Sequence, residues 1–225
     1  MYDIVKTYPR PDQALLDEFK TVQSASIHEV MGKTGTFDPD FRPIWRGIEC
    51  CGSALTVLTR PGDNLMVHVA VSRAQPGDVL VVDCGEYTKT GGMWGEILSI
   101  AAMQKGVVGL VINGSVRDTI PNKELGFPIF SRGISMIGTT KMCPGTINHP
   151  ILIGGVLVNP GDIIRADDDG IVVIPLSKVR EVLKAAKERE QKEAGVIERL
   201  KQGETTLDIL GFRKNFEALN LTVEP

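Results

Sequence analysis

Two short valine-rich runs, Asp78–Asp83 (DVLVVD) and Val107–Ile112 (VVGLVI), flank one amphipathic stretch, Glu96–Lys105 (EILSIAAMQK). Runs of that kind suit buried strands. The spacing of Ile97, Leu98, Ile100, Ala101 and Ala102 suits a helix packed on a sheet. Strand, loop, helix, strand predicts two parallel strands joined by a right-handed crossover. The loops leaving the two strands then lie on one edge of the sheet, the carboxyl edge at which α/β proteins bind ligands. Those loops read Gly95-Glu96-Ile97-Leu98, which runs into the helix, and Gly114-Ser115-Val116-Arg117-Asp118.

The chemistry of these loops is specific. A helix N-terminus offers unpaired N–H groups and a positive dipole end, which suit an anion. Arg117 adds a planar fork for a carboxylate, and Asp118 a hard oxygen for a divalent cation. Together they describe a pocket for a small carboxylate or keto acid bound with Mg2+ or Mn2+. Each residue also has a plainer reading. Arg117 and Asp118 could form a surface ion pair, with Asp118 capping a helix. Glu96 could be a favourable acid in a first helical turn. Gly91, Gly92 and Gly95 could form a connector, or could let the backbone approach a ligand. His68 in its apolar helix reads as packed and His28 beside the capping box as structural, His149 has no evident partner, and no Ser-His-Asp or Cys-His set can be assembled. Without a Walker or G-x-G-x-x-G loop, nucleotide binding has no support.

The rest of the chain supplies a frame. Pro11–Lys20 reads as a helix, and Ser26-Ile27-His28-Glu29 has the form of a capping box opening a short helix that ends near Gly32. Gly35–Arg46 reads as loop, Ala54–Arg60 as a strand and Asn64–Ala74 as a helix. Pro-Gly-Asp occurs at Pro61, Pro76 and Pro160, which is recurrent turn chemistry. Val156–Pro175 reads as strands joined by tight turns. Its Asp167-Asp168-Asp169-Gly170 lacks the alternating ligands of a calcium loop and reads as a hairpin turn. Ser177–Gly203 reads as a long charged helix capped by Ser177, with a narrow apolar stripe through Val179, Leu183 and Ala186. The tail carries Leu207, Ile209, Leu210, Phe212, Phe216 and Leu219, an apolar set expected to dock on a partner. The expected organisation is one α/β domain over 1–176 and a helical extension over 177–225, which needs a surface to lie on, its own domain or a neighbouring subunit.

Composition narrows the classes. With 42% hydrophobic and 24% charged residues among 225, the chain can build one sizeable core. A net charge of −3 argues against a nucleic-acid surface. No run is long enough for a membrane span, and the N-terminus lacks a signal pattern, so a cytoplasmic protein is expected. Cys50, Cys51, Cys84 and Cys143 form no C-x-x-C pair, which speaks against zinc and for reduced thiols.

Glu96, twenty intervening residues and Arg117-Asp118 resemble the D-x20-R-D signature of the 4-hydroxy-4-methyl-2-oxoglutarate/4-carboxy-4-hydroxy-2-oxoadipate aldolases. These belong to a wider family that includes the regulator of ribonuclease E activity A. The resemblance extends through ASIHEVMGKTG, RPIWRG, PGDNLMVHVA, GVVGLVINGSVRD, FPIFSRG and VLVNPGDIIRADDDGIVVIP. It implies a swivelling β/β/α-type α/β fold with a long C-terminal helix, assembled as a homotrimer or homohexamer with active sites between subunits. It implies substrate binding by Gly95, Glu96, Ile97, Leu98 and Arg117, catalysis by Glu96 and Arg117, and a divalent metal on Asp118. A glutamate from a neighbour's C-terminal helix, Glu193 or Glu204 here, is implied to approach the site. The implied reaction is cleavage of a 4-hydroxy-2-oxo dicarboxylic acid to pyruvate, with oxaloacetate decarboxylation as a second or main activity. A non-catalytic ribonuclease regulator and a Schiff-base lysine aldolase are the alternatives. Two departures stand out. The signature Asp is Glu96, and where regulator-type members carry an acidic pair this chain reads Thr119-Ile120-Pro121-Asn122.

Overall fold

The computed structural model describes residues 3–85 and 91–221. In chain order the strands are β1 (Arg42–Pro43), β2 (Cys50–Leu58), β3 (Asp78–Asp83), β4 (Gly92–Trp94), β5 (Gly109–Val116), β6 (Ile129–Ile134), β7 (Thr146–Ile147), β8 (Ile151–Ile153), β9 (Val156–Val158), β10 (Ile163–Ala166) and β11 (Ile171–Ile174). The helices are α1 (Gln13–Lys20), α2 (Ser24–Val30), α3 (Leu65–Arg73), α4 (Glu96–Gln104), α5 (Thr119–Leu125), α6 (Val179–Lys201), α7 (Thr206–Ile209) and α8 (Lys214–Ala218).

One mixed sheet runs β1-β6-β5-β3-β2-β10-β11, with β4 beside β5 and β7 beside β2. Its centre is parallel: β2 pairs β3, β3 pairs β5 and β5 pairs β6 in the same direction. Connections of this kind need crossovers, and α3, α4 and α5 supply them. The fold is α/β with a central parallel βαβ unit and a long C-terminal helix, as the sequence led us to expect.

Parallel strands are covered on both faces, which is why DVLVVD is apolar at successive positions. Leu80 and Val82 join the cluster under α3 and α4, with Leu55, Met66, Val67, Trp94 and Leu110. Val79 and Val81 face the other way, onto Phe37, Phe41, Val111, Phe130 and Ile164. A third cluster joins α1, α2 and the start of α6: Phe19, Ile27, Val172, Val182 and Ala186. The first turns of α6 therefore belong to this chain's own core. Among the described residues no helix is long and apolar enough to cross a membrane.

Several elements differ from the sequence reading. The short helix starts at Ser24, not Ser26, and Gln23 at its N-cap makes no side-chain cap. Its cap comes from elsewhere: the Asp167 carboxylate accepts from the Ser24 N–H at 3.0 Å and from the Ser24 hydroxyl at 2.7 Å. Ser177 does not cap α6; it lies in a 3-10 turn over Leu176–Lys178. The helix after β4 buries Leu98, Ser99 and Ala102, while Ile97 and Ile100 face outward. Gly35–Arg46, read as loop, contains the two-residue strand β1 and a bridge from Thr36 to Val172. The Asp167–Gly170 segment is the predicted turn, between β10 and β11. In the tail, Leu210, Phe212 and Leu219 are exposed, and its last four positions lie outside the described residues.

Candidate functional site

The two predicted segments meet at the carboxyl edge. Residues 114–116, read as loop, are the end of β5, and Gly95 follows β4 rather than β3, so of the second segment only Arg117 and Asp118 lie beyond the strand. Gly95 precedes α4 in extended conformation, and α4 presents its N-terminus to a cleft of about 130 Å3. Gly95, Ile97, Leu98, Arg117 and Asp118 all line it. The Asp118 carboxylate lies against the helix start and accepts from the Glu96 N–H at 3.1 Å. Glycine is required there: a Cβ on Gly95 would lie 2.3 Å from Asp118 Oδ2 and 3.2 Å from Arg117 Cγ. Gly92 is constrained in the same way, by the Ser135 carbonyl at 2.3 Å and Arg117 Cβ at 2.9 Å. The glycines thus serve close packing around Arg117 and Asp118.

Asp118 sits at the N-cap position of α5 but makes no side-chain cap there. Its backbone is left-handed, φ 55° and ψ 45°, a conformation Asp tolerates better than most residues. That twist releases its side chain from α5 towards α4. Arg117 Nε lies 3.7 Å from Asp118 Oδ2. The predicted ion pair is therefore present, and it lies within the cleft. Beneath it runs a buried polar chain. The Trp94 indole N–H donates to Ser99 Oγ at 2.7 Å, Ser99 Oγ donates to Asn122 Oδ1 at 2.5 Å, and Asn122 Nδ2 donates to the carbonyls of Arg117 and Asp118 at 3.0 and 2.8 Å. This chain ties α4 and α5 to the Arg-Asp dipeptide.

Glu96 enters the site through its backbone N–H, and its side chain is partly exposed beside the cleft rather than among its walls. Glu193 and Glu204 lie outside the cleft of their own chain, paired with Arg189 and Arg199.

Spacing did not single out Asn64, Thr139 and Lys141, and it read His68 as packed; all four line the cleft, and His68 is exposed on the outer side of α3. They come from α3 and from the segment between β6 and β7, so only tertiary contact unites them with Arg117. The Pro61-Gly62-Asp63-Asn64 turn is the clamp. Asp63 is buried and accepts from the Met142 N–H at 2.6 Å and the Thr140 hydroxyl at 2.8 Å. Burial raises the Asp63 pKa, but these hydrogen bonds outweigh it, and the carboxyl is held below its ordinary value. Asn64 Nδ2 donates to the Met93 carbonyl at 3.0 Å, and its Oδ1 accepts from Thr139 at 3.0 Å. Partial burial, and then the charge of Lys141, lower the His68 pKa. Cys84, near this edge, donates to the Asn113 carbonyl at 2.7 Å. Burial, reinforced by Asp83, pushes its thiol up to about 12, which removes it as a nucleophile.

The profile of the RraA-like family, described as Aldolase/RraA, matches residues 14–173. A Halalkalibacterium halodurans protein named "Putative 4-hydroxy-4-methyl-2-oxoglutarate aldolase" is 35% identical over 176 residues, 78% of this chain and 83% of that protein. An uncharacterized protein from Pseudomonas syringae pv. tomato str. DC3000 superposes with a TM-score of 0.82 at 28% identity, covering 92% of this chain and 97% of the other. Streptomyces coelicolor RraAS2, an unusual member of the RNase ES inhibitor RraA protein family, superposes with a TM-score of 0.76 at 32% identity, covering 84% and 98%.

Proposed function

This chain belongs to the RraA-like family, and from that premise we propose that it is a metal-dependent lyase. Its reaction is cleavage of a 4-hydroxy-2-oxo dicarboxylic acid, such as 4-hydroxy-4-methyl-2-oxoglutarate, to pyruvate and a second keto acid. One observation carries the reading: a helix N-terminus, the Arg117 guanidinium, the Asp118 carboxylate and the Lys141 ammonium line a single small cleft. Three of these four features attract carboxylates, and the fourth attracts a cation.

The donor set fits Mg2+ or Mn2+. Among the described residues no three His, Cys, Asp or Glu side chains form a cage, and Asp118 stands as a single partly exposed carboxylate. Mg2+ characteristically takes one or two carboxylates and keeps several waters. Asp118 would hold it, and the ion would act there as a Lewis acid on the 2-keto oxygen.

The chain's own groups account for the rest. The first turn of α4 and Arg117 bind the C1 carboxylate and fix its plane. Lys141, across the cleft, takes the distal carboxylate. Glu96, through a water, accepts the 4-hydroxyl proton. The C3–C4 electron pair then passes into the pyruvate enolate as C4 becomes the carbonyl of the second product. Arg117 stabilises the negative charge that develops on the enolate oxygen. Reprotonation at C3 gives pyruvate. Loss of CO2 from oxaloacetate yields the same enolate, so this site also decarboxylates oxaloacetate.

Exposed apolar side chains lie on the cleft, Ile97 (77% exposed), and on the chain segments that supply its walls, Ile120, Ile134, Met136 (88%) and Met142. A homo-oligomer, trimer or hexamer, covers this rim, and the distal half of α6 with its tail docks on a neighbour. The four free thiols suit a cytoplasmic setting.

The test is pyruvate release from 4-hydroxy-4-methyl-2-oxoglutarate and from oxaloacetate, coupled to lactate dehydrogenase, with Mg2+ or with EDTA. Metal-dependent release is expected from both. Release that survives EDTA, together with inactivation by borohydride, would replace this reading with a Schiff-base lysine. The likeness to RraAS2 favours a second reading, inhibition of a ribonuclease by surface contact. It gains if neither substrate turns over.

A further inference from the structure

The cleavage reaction moves two protons: one leaves the 4-hydroxyl and one arrives at C3. Glu96, beside the cleft, serves the first through a water, and the second has no donor yet. The walls of the cleft hold four ionisable side chains. Arg117 orients the C1 carboxylate, Asp118 holds the metal and Lys141 takes the distal carboxylate. The fourth, His68, has no part in the mechanism so far.

Its placement is fixed from the backbone upward. His68 follows Asn64 by four residues, which sets both on one face of α3. The His68 N–H donates to the Asn64 carbonyl at 3.2 Å, so the residue belongs to the first turn of the helix, the turn that Asn64 pins to Met93 and Thr139. Met66, Val67 and Ala70 are buried in the core, which fixes the roll of α3. The other two histidines are engaged elsewhere: His28 meets the Thr34 carbonyl at 3.3 Å and His149 faces Asp3 at 3.7 Å. The His68 imidazole has no hydrogen bond or ion pair among the described residues, and it lies open on the cleft. Partial burial and the charge of Lys141 favour its uncharged form, the form that can take up a proton. The other charged groups of the cleft walls are Arg117 and Asp118.

We propose that His68 is the catalytic residue that carries the proton at C3. Its imidazole takes up the proton that leaves the 4-hydroxyl by way of Glu96 and its water, and delivers it to the pyruvate enolate. The C3–C4 bond breaks, its electron pair becomes the enolate, and that pair then forms the new C3–H bond. The imidazole returns uncharged, and no oxidant or reductant takes part. In the reverse sense the same ring nitrogen removes a methyl proton from bound pyruvate. Imidazole suits both directions because its ordinary pKa lies near neutrality, which is not so for lysine or arginine. A cleft of about 130 Å3 keeps a keto acid held at Arg117 within reach of every wall. The assignment rests on the lyase reading and extends it to C3.

Deuterium entry into the methyl group of pyruvate, followed by proton NMR in D2O with Mg2+, reads this step without any cleavage. The wild-type protein is expected to exchange the methyl protons. His68→Gln should slow that exchange by about 10², while pyruvate binds as before in calorimetric titration. His68→Ala should be slow too, and should regain part of the rate when imidazole is added, which a merely structural side chain would not allow. Exchange at the wild-type rate in His68→Gln overturns the proposal. So does a loss in both variants that imidazole fails to restore. If the folded wild-type protein shows no metal-dependent exchange, the lyase reading itself falls, and the role of His68 with it.

Discussion

Asp118 shows how much one backbone conformation decides. Its left-handed φ turns the carboxylate away from the helix it precedes and onto the start of α4, where Gly95 leaves it room. Arg117→Ala is expected to lower kcat/KM for pyruvate release by about 10²–10³, the usual cost of losing a group that meets developing charge. Arg117→Lys should recover little, because a point charge cannot replace a planar fork. Asp118→Asn keeps an acceptor for the Glu96 N–H. It should fold normally yet lose activation by added Mg2+ or Mn2+, as steady-state assays with metal titration would show. Gly95→Ala forces a carbon to within 2.3 Å of Asp118 Oδ2. Displacing that carboxylate by ~1 Å should cost about 10² in rate, read against an unchanged circular dichroism spectrum. Thiol reactivity offers a separate check. Burial pushes Cys51 and Cys84 up to about 12 and raises Cys50 further, whereas Cys143 is partly exposed. Iodoacetamide at pH 8 should alkylate Cys143 in the native protein and spare the others, which peptide mass spectrometry resolves.

At the scale of elements, the three Pro-Gly-Asp copies form the same turn. Gly62, Gly77 and Gly161 have φ of 75°, 83° and 90°, and each following Asp N–H donates to the carbonyl three residues back, at 3.1 Å in every copy. This is the type II pattern, Pro then Gly at the central positions, and sequence suffices to read it. The use of each Asp side chain is tertiary. Asp63 clamps the segment carrying Thr139 and Lys141, while Asp78 binds Arg10 of the N-terminal segment. The Asp63 pKa is lowered on folding, so its contribution to stability is complete above the ordinary carboxylate range and is lost as pH falls through the lowered folded value. Thermal melts from pH 6 to pH 2.5 should show an acid-labile component that Asp63→Asn removes. Removing Arg10 strands a buried carboxylate. Arg10→Ala should destabilise by about 3 kcal/mol, and adding Asp78→Asn should recover part of the loss in denaturant titrations. Helix α2 carries the contrary lesson. Ser26 to Glu29 has capping-box spacing, but Asp167, over a hundred residues away, fixes the helix start at Ser24. Local spacing cannot reveal a cap supplied from a distant hairpin.

For the whole molecule, the apolar rim of the cleft is the main unfinished surface. Ile97 on the cleft is 77% exposed, and Met136 and Met142, on the segment that carries Thr139 and Lys141, are 88% and 83% exposed. Light scattering is expected to give the mass of three or six chains of 24.4 kDa. Met136→Asp should shift that mass towards one chain and lower activity with it, while a wild-type monomer would remove the rim from the assembly. Sequence by itself determined the parallel βαβ frame, the placing of Gly95–Leu98 and Arg117-Asp118 on one edge, and the turns at the three Pro-Gly-Asp copies. Those features rest on period, run length and residue conformational preference, which act over a few neighbours. Tertiary structure alone decided which face of α4 is buried, that Asp118 serves α4 rather than α5, and that Asn64, His68 and Lys141 join Arg117. Such contacts join residues tens of positions apart, and the packing of the sheet, not any local pattern, brings them within hydrogen-bond reach.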